Sequence, residues 1–484
     1  MYLGIDVGTS AVKAILVDDG GAVRAQAAAP LSVDRRHPLW SEQDPDSWWR
    51  ATVDAVRALP SAERQAVEAV GLSGRMHGAT LLDARDRPVR PAILWNDGRS
   101  DAQCRELERR EPRSREITGN LAMPGFTAPK LLWVREHEPE IFAHTRTVLL
   151  PKDYVRLRLT GDKCTDLSDA SGTLWLDVAH RSWSDAMLAA SELSVDHMPS
   201  LCEGTAASGR VTASAASELG IPRVVVAAGG GDNAASAAGL GVVRAGQAFL
   251  SLGTSGVLFV VSDRFRPNAE RAVHAFCHCL PATWHQMSVM LSAASALDWV
   301  STVCGYAHVL DAVEDARQRG LMASTPLFLP YLSGERTPHN NPRASGVFFG
   351  LRADTRRADL VAGALLGLSL ACAEGLDALL ESGGAIGEIS LCGGGSRLDY
   401  WMTLLASALQ RPLLRRSDSE VGAALGAARL ARAAGTGSAD VALFPAPALI
   451  RRFEPDPQLA ERVQAARPRF ARLYTHLAAD FEDQ

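Results

Sequence analysis

Lysine is nearly missing from this 484-residue chain: four occur against 46 arginines. No basic run and no Lys/Arg stripe builds a cationic face, and the formal net charge is −5. Nucleic acid and anionic membrane are therefore poor choices of main partner. Long apolar runs are also wanting, since none reads as a membrane span, and residues 2–7 form a strand that a cleavable signal would destroy. The expected location is the cytoplasm. Dense cysteine spacing is absent too. Cys104, Cys164, Cys202, Cys277, Cys279, Cys304, Cys372 and Cys392 lie scattered and read as reduced thiols. In HAFCHC at 274–279 a metal set of His274, Cys277, His278 and Cys279 is conceivable. On an alternating strand, however, neighbours face opposite ways and cannot close a tetrahedron locally. What is present is 47% hydrophobic content in a length that suits two large domains and a small substrate.

A Gly/Thr turn occurs twice, as GIDVGTS at 4–10 and FLSLGTSG at 249–256, each time between two short apolar runs. Each copy reads as strand, tight turn, strand. Glycine lets the backbone approach an anion, and the adjacent hydroxyls and N–H groups donate to phosphate. One such turn alone is ordinary turn chemistry. Its repetition at matching places in two halves points to a phosphate chain clamped between two lobes. The first copy adds a carboxylate, Asp6, which suits a divalent cation between it and the phosphates.

DDGGAV at 18–23 is a hairpin turn, Asp44 and Pro45 start a helix that Pro60 closes, and AVGLSG at 69–74 is the next strand. The second half repeats the order, with strands at 249–253, 256–262 and 272–280 and a helix from 292 to 303. This β-β-β-α-β pattern is α/β but not a Rossmann crossover. RVVVAAGGGDNA at 223–234 formally satisfies G-x-G-x-x-A, yet no acidic residue lies between Asp232 and Asp263 to hold a ribose. The glycines instead bare Asp232 at a strand–helix junction, as a general base requires, although a helix N-cap explains it equally. Asn233 caps the helix or bonds a sugar hydroxyl. Met76 and His77 are packed residues or ligands. Trp95, Asn96, Asp97 and Arg99 line a cleft or brace its wall. Lys13 sits at phosphate or on the surface. SLCGGGSRLDYW at 390–401 offers Gly393, Gly394 and Gly395 as a bare shelf for a ring or phosphate. Together these parts suit phosphoryl transfer.

MYLGIDVGTSAVK at 1–13, MHGATLLDA at 76–84, RPAILWNDGRS at 90–100, AGGGDNAA at 228–235, LSLGTSGV at 250–257 and FLPYLSGERTPHNNP at 328–342 resemble the FGGY family of sugar kinases, within the actin, hexokinase and heat-shock ATPase fold group. The likeness spans nearly the whole chain. It implies two ribonuclease H-like domains of actin/hexokinase type around a central cleft. Residues 1–243 would carry the sugar site, metal carboxylate and base, and residues 244–484 the nucleotide site and closing helices. It further implies ATP and Mg²⁺, with γ-phosphoryl transfer to the 5-hydroxyl of D-xylulose. Asp232 would be the base and Asp6 the magnesium carboxylate, with Asp232 sharing the metal. Met76, His77, Asp232 and Asn233 would hold the sugar. Thr9, Ser10, Lys13, Gly253, Thr254, Ser255, Gly393, Gly394 and Gly395 would hold the nucleotide. Glycerol kinases have an Arg and a Glu in place of the Met76–His77 pair. A kinase for another ketose or polyol, and a non-catalytic sensor, are the alternative readings. Lobe closure is expected about a hinge near Gly239–Gly246. The default assembly is a homodimer.

Overall fold

The computed structural model describes residues 1–417 and 422–482. Strand β1 (Tyr2–Val7) turns through Gly8 into β2 (Ala11–Val17), and β3 (Val23–Pro30) completes an antiparallel meander. Helix α1 (Pro45–Arg57) begins where the Asp44 carboxylate accepts the Asp46 N–H, with Pro45 at the first helical position. Strand β4 (Ala69–Gly74) returns parallel to β1. Strands β5 (Ala207–Arg210) and β6 (Val225–Ala227) complete the order β5-β6-β4-β1-β2-β3, and the pair Gly230–Gly231 lies beside the end of β4. Helix α2 (Asp232–Leu240) then leads into the second half.

That half repeats the plan with β7 (Ala248–Leu252), β8 (Gly256–Ser262), β9 (His274–Cys277), β10 (Trp284–Met290), β11 (Ile389–Cys392), β12 (Leu413–Arg416) and β13 (Leu449–Phe453), ordered β9-β10-β8-β7-β11-β12-β13. In both sheets three parallel strands hold the centre: β1, β4 and β6 in one, β7, β11 and β12 in the other. The two-domain α/β reading with mixed sheets holds. The single third strand expected over 272–280 does not. The chain reverses around residues 280–283, where the His278 N–H donates to Thr283 O at 2.9 Å, and β10, not β9, pairs with β8 along its length. The Leu-Pro-Ala-Thr reversal has none of the Gly/Asn punctuation that marks a hairpin in sequence.

Helix α3 (Arg357–Leu380) corrects a second expectation, because it is long and apolar enough to cross a membrane. In this fold 89% of its most apolar stretch is buried inside the protein, where it fills the core of the second half. One core underlies each sheet, and a third apolar cluster runs between the halves from Met76 and Phe126 to Phe249, Phe259 and Met287. The C-terminal segment from Pro457 to Glu482 is helical, as expected for a closing element, with Asp483 and Gln484 outside the described residues.

Helix α4 (Gly422–Thr436) belongs to the second half by sequence but lies across the first sheet and against α2. Its buried face is mostly Ala and Gly, so backbone meets backbone. A Cβ on Gly71 would fall 1.9 Å from Ala427 O, and one on Gly426 would fall 1.7 Å from Ala235 O. No rotamer relieves such a contact with main chain. Gly71→Ala is therefore expected to destabilise the protein by about 3 kcal/mol or more in denaturant unfolding. Gly387→Ala, with nothing within 4 Å of its Cβ, should change stability by less than about 0.5 kcal/mol.

Candidate active site

Three parallel strands bring the acidic residues together. Asp6 stands opposite Ser73 in the β1–β4 register, and Gly230 and Gly231 stand opposite Ser73 and Gly74. Arg75 follows the end of β4 and Asp232 follows Gly231, so all three charged groups emerge at the same end of the sheet. In open α/β sheets this end is where ligands bind. Arg75 is 2% exposed, lies over the Trp48 ring at 4.8 Å, and donates through Nη1 to Gly8 O. Burial lowers its pKa to about 9, while the charges of Asp6 and Asp232 pull it back up.

Asp232 is the first residue of α2, and Gly231 occupies the N-cap position. Its Oδ1 accepts from the Asn233 N–H at 2.8 Å and from Asn233 Nδ2 at 3.0 Å. Burial and the Asp6 charge raise its pKa to about 7, against the Asn233 bonds and the Arg75 charge. Asn233 is thus a bonded partner of the carboxylate as well as part of the cavity wall. Burial also raises the pKa of Asp6, whose Oδ1 is enclosed without a hydrogen-bond partner; the Ser73 hydroxyl, Lys13 and Arg75 oppose the shift. An unpartnered buried carboxylate oxygen is costly unless a cation meets it, so the donor chemistry at Asp6 fits a divalent metal.

Two cavities adjoin here, with Ser251 in the wall of both. The smaller, about 280 Å³, is lined from the first half by Arg75, Met76, His77, Trp95, Asp232 and Asn233, and from the second by residues including His274, Phe276 and Arg336. The larger, about 490 Å³, holds Asp6, Lys13, Ser236, Gly393, Gly394 and Arg397. Of the expected nucleotide residues, Lys13, Gly393 and Gly394 line this larger space, whereas Ser255 lines the smaller one. Gly395 is turned inward: a Cβ there would meet Trp401 at 2.8 Å and Leu252 at 3.1 Å. Thr9, Ser10, Gly253 and Thr254 form the two turns and line neither cavity. The Thr9 hydroxyl accepts from Trp95 Nε1 at 3.1 Å. Gly253 O and Thr254 O accept from Ala294 and Ala293 at the start of a helix, both at 2.9 Å.

His77 is fixed on every side. Its backbone sits at φ +70, its carbonyl accepts from buried Lys130 Nζ at 2.8 Å and Thr127 Oγ1 at 3.2 Å, and its Nδ1 lies 2.6 Å from Gly172 O. Left-handed backbone in a non-glycine residue survives only where surroundings impose it. Burial lowers the ring pKa to about 3, so the imidazole is neutral. Of the segment at 95–99, Trp95 lines the cleft, while buried Asp97 accepts from Ser41 N and from Arg99, whose guanidinium stacks 3.6 Å from the Trp40 ring centroid. Asp97 and Arg99 brace the wall.

Sequence reasoning missed the supporting residues. Gly231 N donates to Ser168 Oγ at 3.0 Å, and Ser168 is held by Asp166, which lies 2.9 Å from Lys152 Nζ. Lys152 also meets Asp153 at 2.6 Å and Asp169 at 3.2 Å, all with no exposure. Burial pushes the Asp169 carboxyl well above its usual range, against the pull of the Lys152 charge. Arg75 was missed although it precedes Met76, and Arg336 although it lies in the quoted 328–342 stretch. Both read as surface charge when only local pattern is used.

The model of the N-terminal domain of the FGGY family of carbohydrate kinases matches residues 1–239, and that of the C-terminal domain matches residues 248–435. The chain is 53% identical to a xylulose kinase of Escherichia coli strain K12 over 479 residues, 99% of each chain. Among solved structures it superimposes on a xyloylose kinase from Brucella ovis with a TM-score of 0.95 at 47% identity, and on a xylulose kinase from Rhodospirillum rubrum with a TM-score of 0.93 at 28% identity, each over 99% of both chains. With both halves matched and their order kept, the chain belongs to the FGGY family of carbohydrate kinases.

Proposed function

We propose that this protein transfers the γ-phosphoryl group of ATP to the terminal hydroxyl of D-xylulose, giving D-xylulose 5-phosphate and ADP. One observation carries this reading: two adjoining cavities, with Asp232 in the smaller and Asp6 in the larger, share a wall at Ser251. The volume beside His77 and Asp232 suits a pentose, and the larger space beside Lys13 and Gly393–Gly394 suits a nucleotide. The relatives' names supply the sugar's identity.

Asp232 is the base. A carboxylate held near pH 7 accepts a proton at neutral pH far better than an ordinary one, and the oxygen not bonded to Asn233 remains for the sugar hydroxyl. Lys13 and Arg75 supply positive charge near the transferring group. Asp6 is the residue that would hold magnesium, with Asp232, which feels its charge, as a second carboxylate. Bound magnesium offsets phosphate charge. We divide the lobes near residue 243, where the connection carries Gly241 and Gly246 at positive φ, and closure there excludes the water that would otherwise hydrolyse ATP.

Asp232→Asn should lower kcat by about 10³-fold or more in a coupled ADP-release assay while the Kd for D-xylulose shifts by less than about 5-fold, because a base acts in the transition state. Retained turnover would remove Asp232 from this role. The same substitution should stabilise the ligand-free protein. A carboxyl whose folded pKa stands above its unfolded value of 3.8 disfavours the folded state once pH exceeds both values, and not below the lower one. Melting temperatures should thus favour the Asn variant at pH 8 and converge with wild type as pH falls through 7 toward 4. For closure, small-angle scattering should give a smaller radius of gyration with D-xylulose and a non-hydrolysable ATP analogue together than with neither. Superimposable profiles would refute it.

A further inference from the structure

The sugar end of the smaller cavity is crowded with hydrogen-bond acceptors. His77 Nδ1 faces Gly172 O at 2.6 Å; a carbonyl only accepts, so the ring hydrogen sits on Nδ1 and Nε2 carries a lone pair. His274 follows the same logic. Its Nδ1 lies 2.9 Å from Asn120 Oδ1, and the Asn120 amide nitrogen is committed to Thr118 O at 2.7 Å and Ala275 O at 3.1 Å, which fixes the oxygen's identity. His274 Nε2 is therefore an acceptor as well, and Asp232 is a third.

Donors at this end are few. Trp95 Nε1 is taken by the Thr9 hydroxyl. Arg75 also lines the cavity, on the side of Asp232 across from Arg336, where its charge answers Asp6 and Asp232. Asn233 gives one amide hydrogen to Asp232. Arg336 lines the cavity and gives one N–H to His274 Nε2 at 3.4 Å, with no other side-chain hydrogen bond or ion pair among the described residues. Its position is rigid: Glu335 and Asn341 exchange two backbone bonds of 2.8 Å, and Thr337 bonds Val289 of β10 through N–H at 3.1 Å and through its hydroxyl at 3.0 Å.

A hydroxyl rotates to match either a donor or an acceptor, whereas a ketone oxygen only accepts. We infer that Arg336 donates to the C2 ketone of the acceptor sugar and thereby sets the preference for a ketose over the corresponding polyol. This rests on the reading of the site given above. It names a specificity residue that comes from the second half of the chain, facing His77 and Asp232 of the first. A bound ketose then ties the two lobes together, while a polyol leaves a buried guanidinium less well matched.

The test compares wild type, Arg336→Met and Arg336→Lys on D-xylulose and on its two reduction products, xylitol and D-arabinitol. Equilibrium binding of each sugar is measured by calorimetry alongside kcat and KM, with thermal melting as the check on folding. Arg336→Met should lose about 10- to 100-fold in affinity and kcat/KM for D-xylulose, mainly through KM, and change less than about 3-fold in affinity for the polyols, so that the ketose preference collapses. Arg336→Lys, which keeps a donor, should recover part of the loss. Equal losses on ketose and polyol, or none, with wild type still phosphorylating D-xylulose, overturn the role of Arg336 alone. A wild-type protein that turns over no D-xylulose overturns the substrate reading and this assignment with it.

Discussion

Two buried carboxylates that feel each other's charge repel, and the positive charge of Arg75 offsets that repulsion at both. Asp6, Arg75 and Asp232 reach one level because β1, β4 and the Gly230–Gly231 pair run parallel and in register. A one-residue slip in either pairing would turn one of them to the other face of the sheet. Arg75 feels both carboxylates, and Asp232 feels Asp6. The balance leaves the Asp232 pKa near 7 and Asp6 Oδ1 enclosed without a hydrogen-bond partner. Strand pairing, not loop conformation, thus sets the electrostatics of the centre.

Behind the centre, the scarcity of lysine becomes intelligible. Two of the four, Lys130 and Lys152, are wholly buried. Each sits where a small ammonium must meet several oxygens at once: Lys130 meets His77 O and Gly125 O, and Lys152 meets three aspartates. A planar guanidinium distributes its donors too widely for such points. The first cluster fixes His77 in its left-handed backbone. The second, through Asp166 and Ser168, fixes the N–H of Gly231 and hence the start of α2. Both act on the cavity wall from outside the cavity.

The duplicated turns, the strands around them and the start of α1 were legible in the sequence because their signals are local: period-two apolar runs, Gly/Thr turns, and an Asp-Pro helix start. Asp6, Met76, His77, Lys13 and Asp232 could be singled out because each adjoins such a signal. The hairpin at 280–283 lacked the Gly or Asn that marks such a reversal and stayed hidden. So did Arg75 and Arg336, since nothing in the composition of a segment separates a cation aimed into a cavity from one in solvent. Gly395 shows the reverse failure, as three consecutive glycines look equivalent while only tertiary packing decides which of them faces Trp401. The crossing of α4 onto the first sheet joins residues more than 300 positions apart, as Gly71 and Ala427 show. No periodicity within a short window encodes such a contact.

That crossing also bears on how the protein is made. A ribosome delivers β1 and β4 early, but the face that receives α4 stays uncovered until residue 436 has left the exit tunnel, on the order of tens of seconds later at ordinary elongation rates. The first lobe therefore cannot finish folding as an independent unit during synthesis. Its glycine-lined surface stays uncovered until the last fifth of the nascent chain arrives.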